Sequence, residues 1–125
     1  MIAGVGIDMI EVERVAAKID KEQGFRELVF SAKEIEYCET KANKYEHYAA
    51  RFAAKEAFFK AIGLGWTNGT AFNEIEISND DNGKPVLSLL GETAKLMTVK
   101  KINNISVSLS HIKTTASAVV IIESL

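Results

Sequence analysis

The chain has 125 residues, 47% of them hydrophobic and 26% charged, with a net charge of −2. These values fit one folded domain over residues 1–125 and exclude a strongly basic nucleic-acid binder. A single cysteine, Cys38, excludes an internal disulfide and a thiolate metal cluster, and with only two histidines a zinc site is a poor fit. There is no cationic leader followed by an apolar segment, and no apolar run of about 18 residues, so the expectation is a soluble, cytoplasmic protein with no membrane partner.

Met1 to Ile7 is a short apolar run in which Val5 and Ile7 alternate with glycines, which predicts a strand ended by Asp8. A helix from Ile10 to Ile19 follows, with Ile10, Val12, Val15, Ala16 and Ile19 inward. Gly4-Val5-Gly6 has the beginning of a dinucleotide fingerprint, but Met9 stands where the third glycine belongs and no strand–helix–strand unit follows. After a turn at Gly24, Phe25 to Phe30 reads as a short helical piece. Ser31 with Glu34 three residues on is a capping box opening a helix through Glu39. A polar loop, Lys41 to Lys44, leads into a long helix from Tyr45 to Ile62, stopped by Gly63-Leu64-Gly65.

Ala71 to Ser78 alternates with Ile75 and Ile77 on one side, as a strand does. Asn79-Asp80-Asp81-Asn82-Gly83 is a turn, and Val86 to Leu90 returns as the second strand of a hairpin. Gly91 to Ile102 is expected to be helical. Ile105, Val107 and Leu109 then alternate with Ser106, Ser108 and Ser110, a half-buried strand with a hydroxyl-lined side. A turn near Lys113 leads to Ala116 to Ile122, an uninterrupted apolar run typical of a central strand. Helices early and strands late give the class α+β, with a largely antiparallel sheet and a long central helix.

The long helix organises the rest. At about 100° per residue, Ala50, Ala53, Ala54, Ala57, Phe58 and Ala61 share one arc, a narrow stripe that lets a neighbouring element come close. The other side carries Arg51, Lys55, Glu56 and Lys60 with Phe52 and Phe59 between them. Such a face is either solvated, with Glu56–Lys60 as an ordinary i,i+4 pair, or covered. Two phenylalanines among the charges favour a cover. Three cations and one carboxylate beneath it suggest an anion, phosphate first, with the carboxylate kept for a metal or a proton.

Asp8 is either the N-cap of the following helix, with Glu11 imitating a capping box, or a ligand-gathering carboxylate at a strand end. Mg²⁺ takes one or two protein carboxylates plus waters and phosphate oxygens, and Asp8 with Glu56 would meet that need if the first strand lies beside the long helix. His111 is a structural hydrogen-bonder or part of a site. Asn82-Gly83-Lys84-Pro85 is hairpin chemistry, or a cation and backbone groups beside a ligand.

Gly4-Val5-Gly6-Ile7-Asp8-Met9-Ile10-Glu11 with Arg14, and Arg51 to Ala57 with Lys60, Ala61 and Gly63, resemble the two signature motifs of the bacterial holo-[acyl-carrier-protein] synthase family, the small 4′-phosphopantetheinyl transferases. Asn82 to Pro85 and Val107 to His111 resemble its two later motifs, all four in order along the chain. The resemblance implies a homotrimer with coenzyme A bound between subunits. It implies transfer of phosphopantetheine to a serine of apo acyl carrier protein, with release of adenosine 3′,5′-bisphosphate, in fatty acid and lipid metabolism. By the same resemblance Asp8 and Glu56 are the Mg²⁺ ligands and Lys60 holds the pyrophosphate. Glu56, Asp8 or a metal-bound water takes the serine proton. Arg51 and His111 meet the 3′-phosphate, Gly63, Gly65, Lys84 and Pro85 border the nucleotide, and Arg14, assisted by Arg26, docks the acidic carrier.

The chain departs from the family pattern at three places. Leu28 stands where relatives often carry a second docking arginine, Phe59 where the residue is often small or hydroxylic, and Leu64 where a threonine is frequent. A non-catalytic nucleotide or coenzyme A binding module and a structural trimer are the rival readings. Intact Asp8, Glu56 and Lys60 favour the transferase.

Overall fold

The computed structural model describes residues 1–63 and 71–125, so Leu64 and Gly65 lie outside the described residues. The elements are β1 (Ile2–Glu11), α1 (Val12–Lys21), α2 (Phe25–Val29), α3 (Ala32–Glu39), α4 (Lys44–Ile62), a 3₁₀ turn (Phe72–Glu74), β2 (Ile75–Asn79), β3 (Pro85–Leu89), α5 (Gly91–Val99), β4 (Ile102–His111) and β5 (Thr115–Ser124). The strands form two antiparallel sheets rather than one: β1-β5-β4, with the apolar β5 in the centre as its sequence predicts, and the β2-β3 hairpin. No described helix is long and apolar enough to cross a membrane.

Three boundaries differ from expectation. β1 runs past Asp8 to Glu11, because the ladder to β5 continues through Asp8 opposite Ala118 and Ile10 opposite Ala116. Asp8 is therefore a strand residue and caps nothing; the N-cap of α1 is Glu11, whose side chain makes no capping bond. The first half of the expected strand at 71–78 is instead the 3₁₀ turn, closed by Glu74 N–H donating to the Ala71 carbonyl. α5 ends at Val99, and Lys101 at φ 61° turns the chain so that β4 starts at Ile102.

The alanine stripe of α4 behaves as its spacing implies. Ala50, Ala53, Ala54, Ala57, Phe58 and Ala61 are all buried, and α4 packs chiefly on β1 and β5. The close neighbour is β1. A Cβ built on Gly4 would overlap the Ala61 carbonyl oxygen, and one on Gly6 the Ala57 carbonyl oxygen. The two glycines are there so that strand backbone can touch helix backbone, which also accounts for the partial resemblance to a dinucleotide fingerprint.

The charged side of α4 is covered largely by the chain itself. Lys55 is fully buried, and its ammonium donates to Glu34 Oε1 at 2.8 Å, to the Phe72 carbonyl at 2.8 Å and to the Ile75 carbonyl. Glu34 closes the predicted capping box with Ser31 and also accepts from Ile77 N–H at 2.9 Å. One buried ion pair thus ties α3, α4, the 3₁₀ turn and β2 together, and removes Lys55 from the cations available to an anion. Phe59 is buried, in edge contact with Phe72 at 5.0 Å, and Phe52 stacks on Phe72 at 5.7 Å. The i,i+4 partner expected for Glu56 is engaged elsewhere, since Lys60 Nζ bonds Asp8 Oδ1 at 3.0 Å and the Ile7 carbonyl at 3.1 Å. Cys38 is fully buried with Val12, Val15, Phe30 and Tyr48, and burial pushes its thiol up to about 12.

Gly6→Ala should cost ~2 kcal/mol or more, because the new methyl meets backbone that cannot move aside; thermal unfolding measures it as a lowered midpoint. Lys55→Met should cost about 3–5 kcal/mol by leaving Glu34 charged, buried and unpaired. Adding Glu34→Gln should recover part of that loss, since the amide oxygen still accepts from Ile77 without a charge; denaturant titration of both variants gives the comparison.

Candidate functional site

Because β1 lies against α4, Asp8 on the strand and Glu56 on the helix line one cleft of about 280 Å³, together with Arg14 and Lys18 of α1 and the ring of Phe52. Lys60 joins them through its bond to Asp8. Burial, and then the neighbouring charge of Asp8, push the Glu56 carboxyl above the usual carboxylate range, against the opposing pull of Lys60 and Lys18. Among the described residues nothing donates a hydrogen bond to Glu56. Two carboxylates from separate elements, one without a donor of its own, are the donor set that a hard, oxygen-seeking Mg²⁺ accepts while keeping waters and substrate oxygens for its other positions. No denser group of three or more His, Cys, Asp or Glu side chains occurs among the described residues. An apolar groove of about 450 Å³, walled by Phe25, Leu28, Val29 and Phe72, adjoins the cleft and shares Lys18, Phe52 and Glu56 with it.

A second cleft, of about 180 Å³, opens on another side of α4, where Arg51 meets Pro85 and Gly83 of the hairpin and His111 at the end of β4. Arg51 and Glu56 are five residues apart, roughly 140° around the helix, so one helix serves both clefts. Arg51 is only 2% exposed. Its Nη2 donates to Asn79 Oδ1 at 3.0 Å and its guanidinium lies 4.3 Å from the Tyr37 ring centroid. Its Nε is buried without a hydrogen-bond partner, and no carboxylate pairs with it among the described residues. A buried cation left uncompensated by the chain is a receptor for an anion. His111 Nδ1 is 2.9 Å from Glu46 Oε1, and its ring packs on His47 at 5.1 Å.

The sequence-predicted residues therefore divide. Asp8, Glu56 and Lys60 converge, with Arg14 beside them; Arg51, Pro85 and His111 converge elsewhere. Lys84 sits exposed in the hairpin turn, its backbone N–H held by Asp80. Gly63 is the left-handed C-cap of α4 at φ 74° and lines neither cleft. Arg26 is engaged with Glu27 and Glu39, and Gly65 lies outside the described residues. Sequence reasoning missed Lys18, although its spacing one turn beyond Arg14 was a signal, and missed Tyr37, Glu46, His47 and Asn79, whose roles depend on packing between elements distant in sequence.

The model of the 4′-phosphopantetheinyl transferase superfamily matches residues 4–116. The holo-[acyl-carrier-protein] synthase of Cytophaga hutchinsonii is 50% identical over 123 residues, covering 97% of each chain. The crystal structure of the Neisseria meningitidis synthase superposes with a TM-score of 0.91 at 30% identity, over 99% of this chain and 100% of that one. The Bacillus anthracis synthase, in complex with CoA (3′,5′-ADP), gives 0.83 at 36% identity over 100% and 99%. The chain belongs to the 4′-phosphopantetheinyl transferase superfamily and, within it, to the holo-[acyl-carrier-protein] synthases.

Proposed function

We propose that residues 1–125 form one transferase domain that moves the 4′-phosphopantetheine group of coenzyme A to a serine of apo acyl carrier protein and releases adenosine 3′,5′-bisphosphate. The observation that carries this reading is the convergence of Asp8, Glu56 and Lys60 on one cleft. Mg²⁺ held by Asp8 and Glu56 would neutralise the pyrophosphate and polarise the phosphorus under attack. Lys60, beside Asp8, offsets charge building on the leaving phosphate. Glu56, directly or through a metal-bound water, takes the serine proton. Asp8 is the alternative acceptor.

The buried Arg51 and, beside it, His111 receive the 3′-phosphate, with Pro85 along the nucleotide. Arg14 dominates carrier docking, since an acidic partner needs cations that are free, and Arg26 is already paired. Lys18, whose ammonium lies 5.6 Å from the Phe25 ring centroid, adds a second cation on the same helix face, and the groove of Phe25, Leu28 and Val29 supplies the apolar part of that surface.

The working form is a homotrimer with sites between subunits. Two observations support it. The phosphate-receiving and carboxylate-bearing clefts are separate within one chain, so a neighbour's cleft can complete each site. The sheet face turned away from α4 carries exposed Val5, Ile7 and Met9, with Val119 and Ile121 beside them in the ladder. An apolar surface of this kind marks an interface.

With coenzyme A and Mg²⁺, the protein should add one phosphopantetheine to an apo carrier, read by intact mass. Asp8→Asn and Glu56→Gln should each lower that rate by about 100-fold or more while the thermal midpoint holds. Coenzyme A binding without any mass gain on several carriers would leave only a binding module. In sedimentation velocity the protein should run as a trimer, and Ile7→Glu should yield monomers with little transfer; an active monomer would overturn the shared site.

A further inference from the structure

His111 and Glu46 join the end of β4 to the first turn of α4, and the mechanism above uses only the histidine. A carboxylate has only lone pairs to offer, so in the 2.9 Å contact Nδ1 of His111 is the donor and Glu46 Oε1 the acceptor. The ring's tautomer is thereby set, and Nε2 is the nitrogen left for a ligand. In the neutral ring Nε2 carries a lone pair that would repel a phosphate oxygen. It becomes a donor only when the ring holds both protons, with Nδ1–H on Glu46 and Nε2–H left for the ligand.

The second imidazole of the cleft holds a proton less readily than an ordinary histidine. His47 packs edge-on against both His111 and Tyr37. Burial, with His111, Arg51 and Lys41 around it, pushes His47 below the usual histidine range. Glu46 contacts His111 directly, at 2.9 Å, whereas on His47 its charge acts only against those lowering influences.

We propose that Glu46 is a positioning residue for coenzyme A selection: through His111 it presents an N–H, beside the buried Arg51, to the terminal phosphate monoester of the substrate. The inference rests on the transferase reading. Its chemistry separates coenzyme A from dephospho-coenzyme A, which lacks that phosphate and is otherwise the same donor.

Steady-state transfer to an apo carrier with each donor tests this in the wild type, Glu46→Gln, His111→Ala and the double variant. Gln keeps the size of Glu46 and removes its charge. Glu46→Gln should raise KM for coenzyme A by about tenfold, with kcat within about twofold, and leave KM for dephospho-coenzyme A unchanged. In the His111→Ala background the Glu46 change should add almost nothing. Equal effects on the two donors, or additive effects in the double variant, would make Glu46 a merely structural tie and overturn the proposal. A wild type that does not distinguish the donors would overturn it as well. Failure of the wild type to transfer from either donor would instead remove the transferase reading on which it stands.

Discussion

Backbone contact between β1 and α4 is the constraint on which the rest of the structure depends. Helix and strand normally keep a layer of side chains between them. Here two glycines on one side and two alanines on the other reduce that layer to almost nothing. The first carboxylate of the site follows the second glycine by two residues, on the same side of the pleat. Its distance from the helix is therefore set by main-chain atoms rather than by flexible side chains. A site whose two acidic groups come from segments nearly fifty residues apart needs that rigidity.

The remainder of α4 is held by a less economical device. Burying Lys55 and Glu34 takes two charges out of water, and a pair of well-packed apolar residues could fill the space as well. What the pair gives is direction. Three acceptors converge on the ammonium, and the glutamate is fixed at the same time by a helix cap and a strand N–H. The segment bearing Phe72 is thereby pinned to α4, and Phe72 in turn sets the ring of Phe52 at the boundary between the carboxylate cleft and the apolar groove. A stabilising network remote from the chemistry thus shapes the entrance to it.

Much of this was legible in the sequence because the signals were local. The capping box at Ser31 and Glu34, the turn before β3, the apolar run of β5 and the alanine stripe each follow from spacing within a dozen residues. Partners distant along the chain were not legible. Lys55 reads as one of three cations facing an anion until Glu34 is found against it, and Asp8 reads as a helix cap or a strand-end ligand until β5 is seen holding its backbone extended. The site followed the same division. The motif residues could be singled out by spacing, whereas Glu46, His47 and Tyr37 join a site only through the cleft that gathers them.

The buried thiol of Cys38 has a consequence for a protein that handles coenzyme A. With the thiol pushed up to about 12 by burial, the reactive thiolate is scarce at neutral pH. The donor itself ends in a sulfhydryl, and its oxidised forms are ready partners for any accessible thiolate. Lodged behind Tyr48 and Phe30, the chain's one sulfhydryl is shielded from mixed disulfides with the molecule the enzyme consumes.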